Sequence, residues 1–170
     1  TNWTSKFGGS AWGYLPRTDE YYLHLFHVSQ ADLNWENPNV RRELYDVVNF
    51  WIEKGVKGFR FDVINLISKP AIYEDDLEGD GHRFYTDGAR IHEFLHELNR
   101  ETFGPHEDII TVGEMASSDL PNSIRYSRRE EQELSMIFDF HHLKIDYPSG
   151  NKWEVQPFRF HDLKKNLFEW

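Results

Sequence analysis

Three short runs in this chain place alternate side chains on opposite faces, the period-two pattern of β-strands. They are residues 58–63 (Gly-Phe-Arg-Phe-Asp-Val), 109–114 (Ile-Ile-Thr-Val-Gly-Glu) and 134–140 (Leu-Ser-Met-Ile-Phe-Asp-Phe). Around them the apolar positions change to helical spacing. Val40, Leu44, Val47, Val48 and Trp51 form one such set, opened by Asn37 as N-cap with Pro38 behind it and closed by Gly55. Ile91, Phe94, Leu95, Leu98 and Phe103 form a second. Pro121 opens a short helix near Ile124, and Leu163, Leu167 and Trp170 mark a last one. Residues 21–26 add a strand candidate upstream, and residues 68–88 read as a polar loop.

From Asn37 onward the order is helix, strand, helix, strand, helix, strand, helix. That alternation predicts a parallel sheet with helical crossovers, hence an α/β fold. An open doubly wound sheet and a (β/α)8 barrel both satisfy it. No Gly-x-Gly-x-x-Gly loop follows any strand, which weakens the dinucleotide-binding alternative. A complete barrel takes about 250 residues, and this chain of 170 has room for about three strand-helix units. The expected fold is therefore a partial (β/α)8 TIM barrel.

Composition narrows the function. Net charge is −10, which argues against a nucleic-acid partner. No apolar run is long enough to span a membrane, no signal peptide opens the chain and there is no cysteine, so a cytoplasmic setting is expected. Six Trp, eight Tyr and thirteen Phe exceed what a surface needs. Most should pack the core, leaving a few to stack on sugar rings.

The chemistry lies at the strand ends. Alternation puts Arg60 and Asp62 on one face and Phe59 and Phe61 on the other, while Glu114 ends the next strand. Two carboxylates at the ends of successive strands suit glycoside hydrolysis, and a retaining enzyme holds them about 5–5.5 Å apart. Asp62 would have to be ionised to attack an anomeric carbon, which Arg60 favours, and Glu114 would have to start protonated.

These strings, Gly58-Phe59-Arg60-Phe61-Asp62-Val63-Ile64-Asn65 and Thr111-Val112-Gly113-Glu114-Met115, resemble two sequence regions of the α-amylase superfamily. The resemblance covers nearly the whole chain. It implies that Asp62 is the nucleophile, Glu114 the acid/base and Arg60 the residue that positions the nucleophile. Gln30-Ala31-Asp32-Leu33-Asn34 is similar to the string that closes the family's inserted second domain. Residues 1–35 would then be the tail of that insertion, and residues 36–170 a central arc of the catalytic barrel. Asp62-Val63-Ile64-Asn65 looks like the branch of oligo-1,6-glucosidases and trehalose-6-phosphate hydrolases. Ser5-Lys6-Phe7-Gly8-Gly9-Ser10-Ala11-Trp12, the stretch 79–88 and the stretch 140–148 lean toward the second. The implied partner is a small-molecule sugar substrate, with no cofactor. Phe61 and Ala89 depart from the pattern conservatively. The family's third catalytic carboxylate has no counterpart here: His161-Asp162 matches its dipeptide but opens a helix. The segment alone is accordingly expected to be inactive, and its unpaired strand edges to favour self-association.

Three cations near predicted strand-to-helix loops could meet a sugar phosphate: His82, Arg83 and Lys144. Arg83 is favoured because a guanidinium grips phosphate through two parallel hydrogen bonds. His141 and His142 are adjacent and make a poor metal pair. Residues 76–87, with acids at loop positions one, three, five and twelve and Gly81 at six, partly mimic a calcium loop. A solvated acidic loop is the preferred reading, and no metal is expected. Two functions compete within the same chemistry, hydrolysis of trehalose 6-phosphate and of isomaltose-type ends. A non-catalytic homologue is the third possibility, opposed by the joint presence of Arg60, Asp62 and Glu114.

Overall fold

The computed structural model of the chain describes residues 1–146, 154, 156, 157 and 159–169. Strand β1 (Trp12–Leu15) and strand β2 (Glu20–Leu23) form an antiparallel hairpin. Helix α1 (Pro38–Glu53) then leads into β3 (Gly58–Phe61). The short helix α2 (His82–Tyr85) and α3 (Ile91–Glu101) lead to β4 (Ile110–Glu114). Helix α4 (Leu120–Ser127) precedes β5 (Met136–Phe138), and α5 (Phe160–Glu169) is the last described element. The three later strands make one parallel sheet in the order β3-β4-β5. A parallel pair needs a crossover, and α3 and α4 supply the two.

Local chemistry sets these boundaries. Asn37 takes an extended conformation, as a residue before proline must, and its side chain accepts from the Asn39 N–H at 2.9 Å. Gly55, at φ 90°, lets the chain leave α1 in the left-handed region. In α3 the buried residues Ile91, Phe94, Leu95 and Leu98 form one stripe. They join Tyr45 of α1, Tyr126 of α4, Met115 and Leu134 in a core on one side of the sheet, against which Phe59, Phe61 and Ile137 pack. Gly113 belongs to this side: a Cβ there would come within 2.6 Å of Leu134 and 2.7 Å of Met115.

The described residues leave the opposite face of the sheet uncovered. Arg60, Val112 and Met136 stand in one cross-strand row on it, and Met136 is 47% exposed. Two strands are shorter than their sequence patterns. The first ends at Phe61, not Val63, because Val63 adopts the left-handed conformation at φ 39°. The third spans Met136–Phe138 and not 134–140. The upstream candidate at 21–26 is the second half of a hairpin whose first half had not been expected. The loop at 68–88 contains α2.

A second core holds Trp3, Ala11, Leu25, Leu66 and Tyr85. It fastens the first residues onto the 74–80 loop, where the Trp3 indole N–H donates to the Glu74 carbonyl and the Thr4 N–H to that of Asp80, both at 2.9 Å. A buried ion pair adds to this: Lys69 Nζ lies 2.5 Å from Asp32 Oδ1 and donates to the Leu66 carbonyl at 2.7 Å. Burial pushes the Lys69 ammonium below its ordinary pKa and the Asp32 carboxyl above its own, each opposed by the other's charge. Removing one partner of such a pair leaves the other charge buried alone. Lys69→Met in the intact protein carrying this segment should therefore cost about 3–5 kcal/mol, read as a lowered Tm. Adding Asp32→Asn should recover much of the loss. A Lys69→Met protein as stable as the wild type would show that the pair does not fasten the segment.

Candidate active site

The β3–β4 ladder ends with Phe61 opposite Gly113. Asp62 follows Phe61 by one residue, as Glu114 follows Gly113, so the two carboxylates reach the same level at the carboxyl ends of adjacent strands. Glu114 is in turn paired with Phe138 of β5. Side chains two apart share a face. Asp62, Glu114 and Phe138 therefore rise from the uncovered side, one step above the row of Arg60, Val112 and Met136.

Arg60 joins the two acids. Its Nη1 donates to Asp62 Oδ1 at 2.7 Å, and its Nη2 contacts Glu114 Oε2. The guanidinium also lies over the Phe138 ring, 5.8 Å from its centroid. One planar cation thus spans both carboxylates, which a lysine could not do with a fixed fork. The two acids differ in exposure: the Asp62 side chain is 72% exposed and that of Glu114 13%. Asp62 is open to an incoming molecule, while Glu114 sits against the sheet.

Asp62 lies outside the strand, between its last ladder pair and the left-handed Val63. A β-branched residue in that conformation is strained, and such strain collects at functional sites. The 3-10 turn Ile64–Leu66 follows, with all three residues buried. Asn65, fully buried, makes a reciprocal pair with the backbone of Ala116 beyond β4. Its Oδ1 accepts from Ala116 N–H at 2.9 Å, and its Nδ2 donates to the Ala116 carbonyl at 3.1 Å and to Asp87 Oδ1 at 2.9 Å. The Tyr126 hydroxyl donates to the same Asp87 oxygen at 2.6 Å. Burial, and then the Asp87 charge, push the Tyr126 phenol up, so the hydroxyl keeps its proton. The next loop is tied as well: Met115 N–H donates to the Phe138 carbonyl at 2.9 Å, and His141 Nε2 is 2.7 Å from the Ser118 carbonyl. The sequence pattern gave Asn65 and Tyr126 no role and Asp87 only a place in the calcium-like loop, although Asn65 stands in the quoted string.

Two of the three expected cations, His82 and Arg83, pair with acids of their own loop. Arg83 of α2 contacts Asp76 and Glu78, each at 2.8 Å, and stacks over Phe84. Its guanidinium is committed to the acidic loop. His82 Nδ1 lies 3.1 Å from Asp80 Oδ2, and burial lowers its pKa. Among the described residues, no hydrogen bond or ion pair joins His82 or Arg83 to Arg60, Asp62 or Glu114. The side chain of Lys144 lies outside the described residues. Its backbone falls in the 3-10 turn His141–Lys144, just beyond β5. In the calcium-like loop, burial works against the Asp76 charge, but the Glu78 and Gly81 amides and Arg83 hold its carboxyl below the usual range. Asp87, at the twelfth position, is the Asn65 and Tyr126 partner. His161 and Asp162 fall in the first turn of α5, with Asp162 held by Arg159 at 2.7 Å.

The family described as alpha amylase, catalytic domain, matches residues 1–170. The chain is 57% identical over 170 residues to the trehalose-6-phosphate hydrolase of Bacillus subtilis (strain 168), covering all of this chain and 30% of that protein. It is 47% identical over 175 residues to the oligo-1,6-glucosidase of Parageobacillus thermoglucosidasius, covering 99% of this chain and 31% of the relative. The crystal structure of Bacillus licheniformis trehalose-6-phosphate hydrolase (TreA) superimposes with a TM-score of 0.95 at 58% identity, covering 99% of this chain and 30% of that one. The chain thus spans less than a third of the length of these relatives. With a full-length family match and a mixed α/β fold built on a parallel sheet, the chain belongs to the α-amylase family.

Proposed function

We propose that the protein carrying this segment is a retaining α-glycoside hydrolase that cleaves trehalose 6-phosphate to glucose and glucose 6-phosphate. The observation that carries the chemistry is the single Arg60 guanidinium touching both Asp62 and Glu114 at matching strand ends. In the first step an Asp62 oxygen bonds to the anomeric carbon. The glycosidic C–O bond breaks, and the Glu114 proton passes to the departing oxygen. In the second, Glu114 takes a proton from water, the water oxygen bonds to the anomeric carbon and Asp62 leaves. Two inversions leave the configuration retained. Arg60 holds the nucleophile in line.

The segment is best understood as three strand-helix units of a (β/α)8 barrel. The helices cover one face of the sheet, and the active residues stand on the other, at the carboxyl ends, where barrels place their sites. Residues 1–35 are then the end of an inserted domain, and the third carboxylate lies outside this chain. The sheet face that the described residues leave bare, together with the strand edges, favours self-association of the segment taken alone. A cytoplasmic setting fits a phosphorylated sugar substrate. Among the described residues no helix is long and apolar enough to cross a membrane.

Substrate choice rests on the stronger likeness to trehalose-6-phosphate hydrolases, and isomaltose-type substrates are the second reading, carried by the 47% likeness to an oligo-1,6-glucosidase. The intact protein should show a kcat/KM for trehalose 6-phosphate at least about tenfold above that for isomaltose. The reverse order would establish the second reading. Phosphate selection needs local cations. Arg83 would have to give up a carboxylate to bind phosphate, whereas Lys144 follows β5 at the carboxyl edge of the sheet. Lys144→Ala should accordingly lower kcat/KM for trehalose 6-phosphate by about tenfold and leave an unphosphorylated aryl glucoside unaffected. Arg83→Ala should change both substrates together, through the 76–83 loop. A phosphate-selective loss in the Arg83 variant would reverse this assignment.

A further inference from the structure

The ladder between β3 and β4 stops one residue short of the two carboxylates. Beyond Phe61 and Gly113 no strand pairing fixes Asp62 against Glu114, and Val63 turns the β3 chain away from the sheet. The next cross-link is made by a side chain. Asn65, three residues after Asp62, presents its amide to the backbone amide of Ala116, two residues after Glu114, and makes both hydrogen bonds that a further ladder position would make. Its second amide hydrogen goes to Asp87, which is held from the other side by Tyr126. The Asp87 N–H closes the unit by donating to the Asn65 carbonyl at 3.0 Å.

Only a primary amide of this length suits the position. It must offer one acceptor to Ala116 N–H and two donors, to the Ala116 carbonyl and to Asp87. A carboxylate would set lone pairs against both of those oxygens. An apolar side chain would take the partner from the Ala116 N–H and carbonyl and leave Asp87 Oδ1 with the Tyr126 hydroxyl as its donor.

Building on the reading of Asp62 and Glu114 as the reacting pair, we propose that Asn65 is a positioning residue: its amide clamp across the two loops sets the offset between nucleophile and acid/base. Asn65 touches neither reacting group and acts through the backbone on either side. A small displacement of one carboxylate relative to the other is costly, because the near-attack geometry is narrow.

The test is kinetic, in the intact protein. Asn65→Asp exchanges one NH2 for an oxygen. It should lower kcat by about tenfold or more while KM changes by less than about threefold. The fall should be equal on natural substrate and on activated aryl glucosides, because a misplaced nucleophile slows attack on both. Loss confined to the natural substrate would overturn the proposal, since it would point to the acid/base alone. Combining Asn65→Asp with Asp87→Asn restores a donor opposite the new carboxylate and should recover part of kcat. Should Asn65→Asp fail to fold, Tyr126→Phe removes one hydroxyl from the far side of the same unit. It should lower kcat by about threefold at constant KM. Variants that lose thermal stability yet keep wild-type kcat per folded molecule would overturn the proposal. Absence of glycosidase activity in the unmodified protein would overturn the functional reading, and the clamp's role with it.

Discussion

Asp62→Asn in the intact protein should lower kcat by about 10³-fold or more while leaving the fold unchanged. The substitution keeps the size and planarity of the side chain but removes its nucleophilic oxygen charge. The replacement is isosteric, so the change opens no cavity, and among the described residues its side chain's hydrogen bond is to Arg60, which retains Glu114 as a partner. Stability should therefore hold while turnover collapses. Near-wild-type turnover, with Tm and circular dichroism unaltered, would remove Asp62 from the nucleophile's role and leave it as a solvated strand end.

Glu114→Gln should have a different signature. The first step on a sugar leaving group needs a proton delivered to the departing oxygen, and loss of general acid help costs about 10²–10⁴-fold. Aryl glucosides with acidic phenols need little such help. Their first step should survive, and the glycosyl-enzyme should accumulate because water then lacks its base. Azide, which attacks without a base, should speed turnover of these substrates and yield a glycosyl azide. Equal loss on natural and aryl substrates, without azide rescue, would contradict the acid/base assignment. The shielded setting of Glu114 against β4 and β5 makes this variant more prone than Asp62→Asn to disturb packing, so its Tm has to be compared before its rates are.

The part of this site legible in the sequence is the part governed by local periodicity. Alternation alone placed Arg60 and Asp62 on one face, and the Gly58–Phe61 and Ile110–Glu114 strands put Asp62 and Glu114 at one level. The Asn37-Pro38 signal and the Gly55 stop fixed α1, because caps depend on neighbouring residues only. What escaped depends on distant partners. Asn65 meets Ala116 across 51 positions, with no pattern in either segment to announce it. Arg83 faces several acids in its own loop, and the choice of Asp76 and Glu78 over a ligand follows from how Asp76 is buried. Val63 has high strand propensity, yet tertiary constraint holds it left-handed and ends β3 early. The β1–β2 hairpin did carry a signal. Pro16, Thr18 and Asp19 separate two aromatic runs, and Asp19 adopts φ 56° in the turn.

The central claim is that Asp62 forms a covalent bond to the sugar. The most direct measurement is trapping of the intermediate in the intact protein with a 5-fluoro-glucosyl fluoride, followed by mass analysis of the proteolytic peptides. A fluorinated sugar slows both steps, and the fluoride leaving group restores the first, so the glycosyl-enzyme should persist. The expected result is inactivation together with one added fluoroglucosyl mass on the peptide that contains Asp62, absent from the Asp62→Asn protein. A label on another residue, or turnover that releases product of inverted configuration with no adduct, would contradict it.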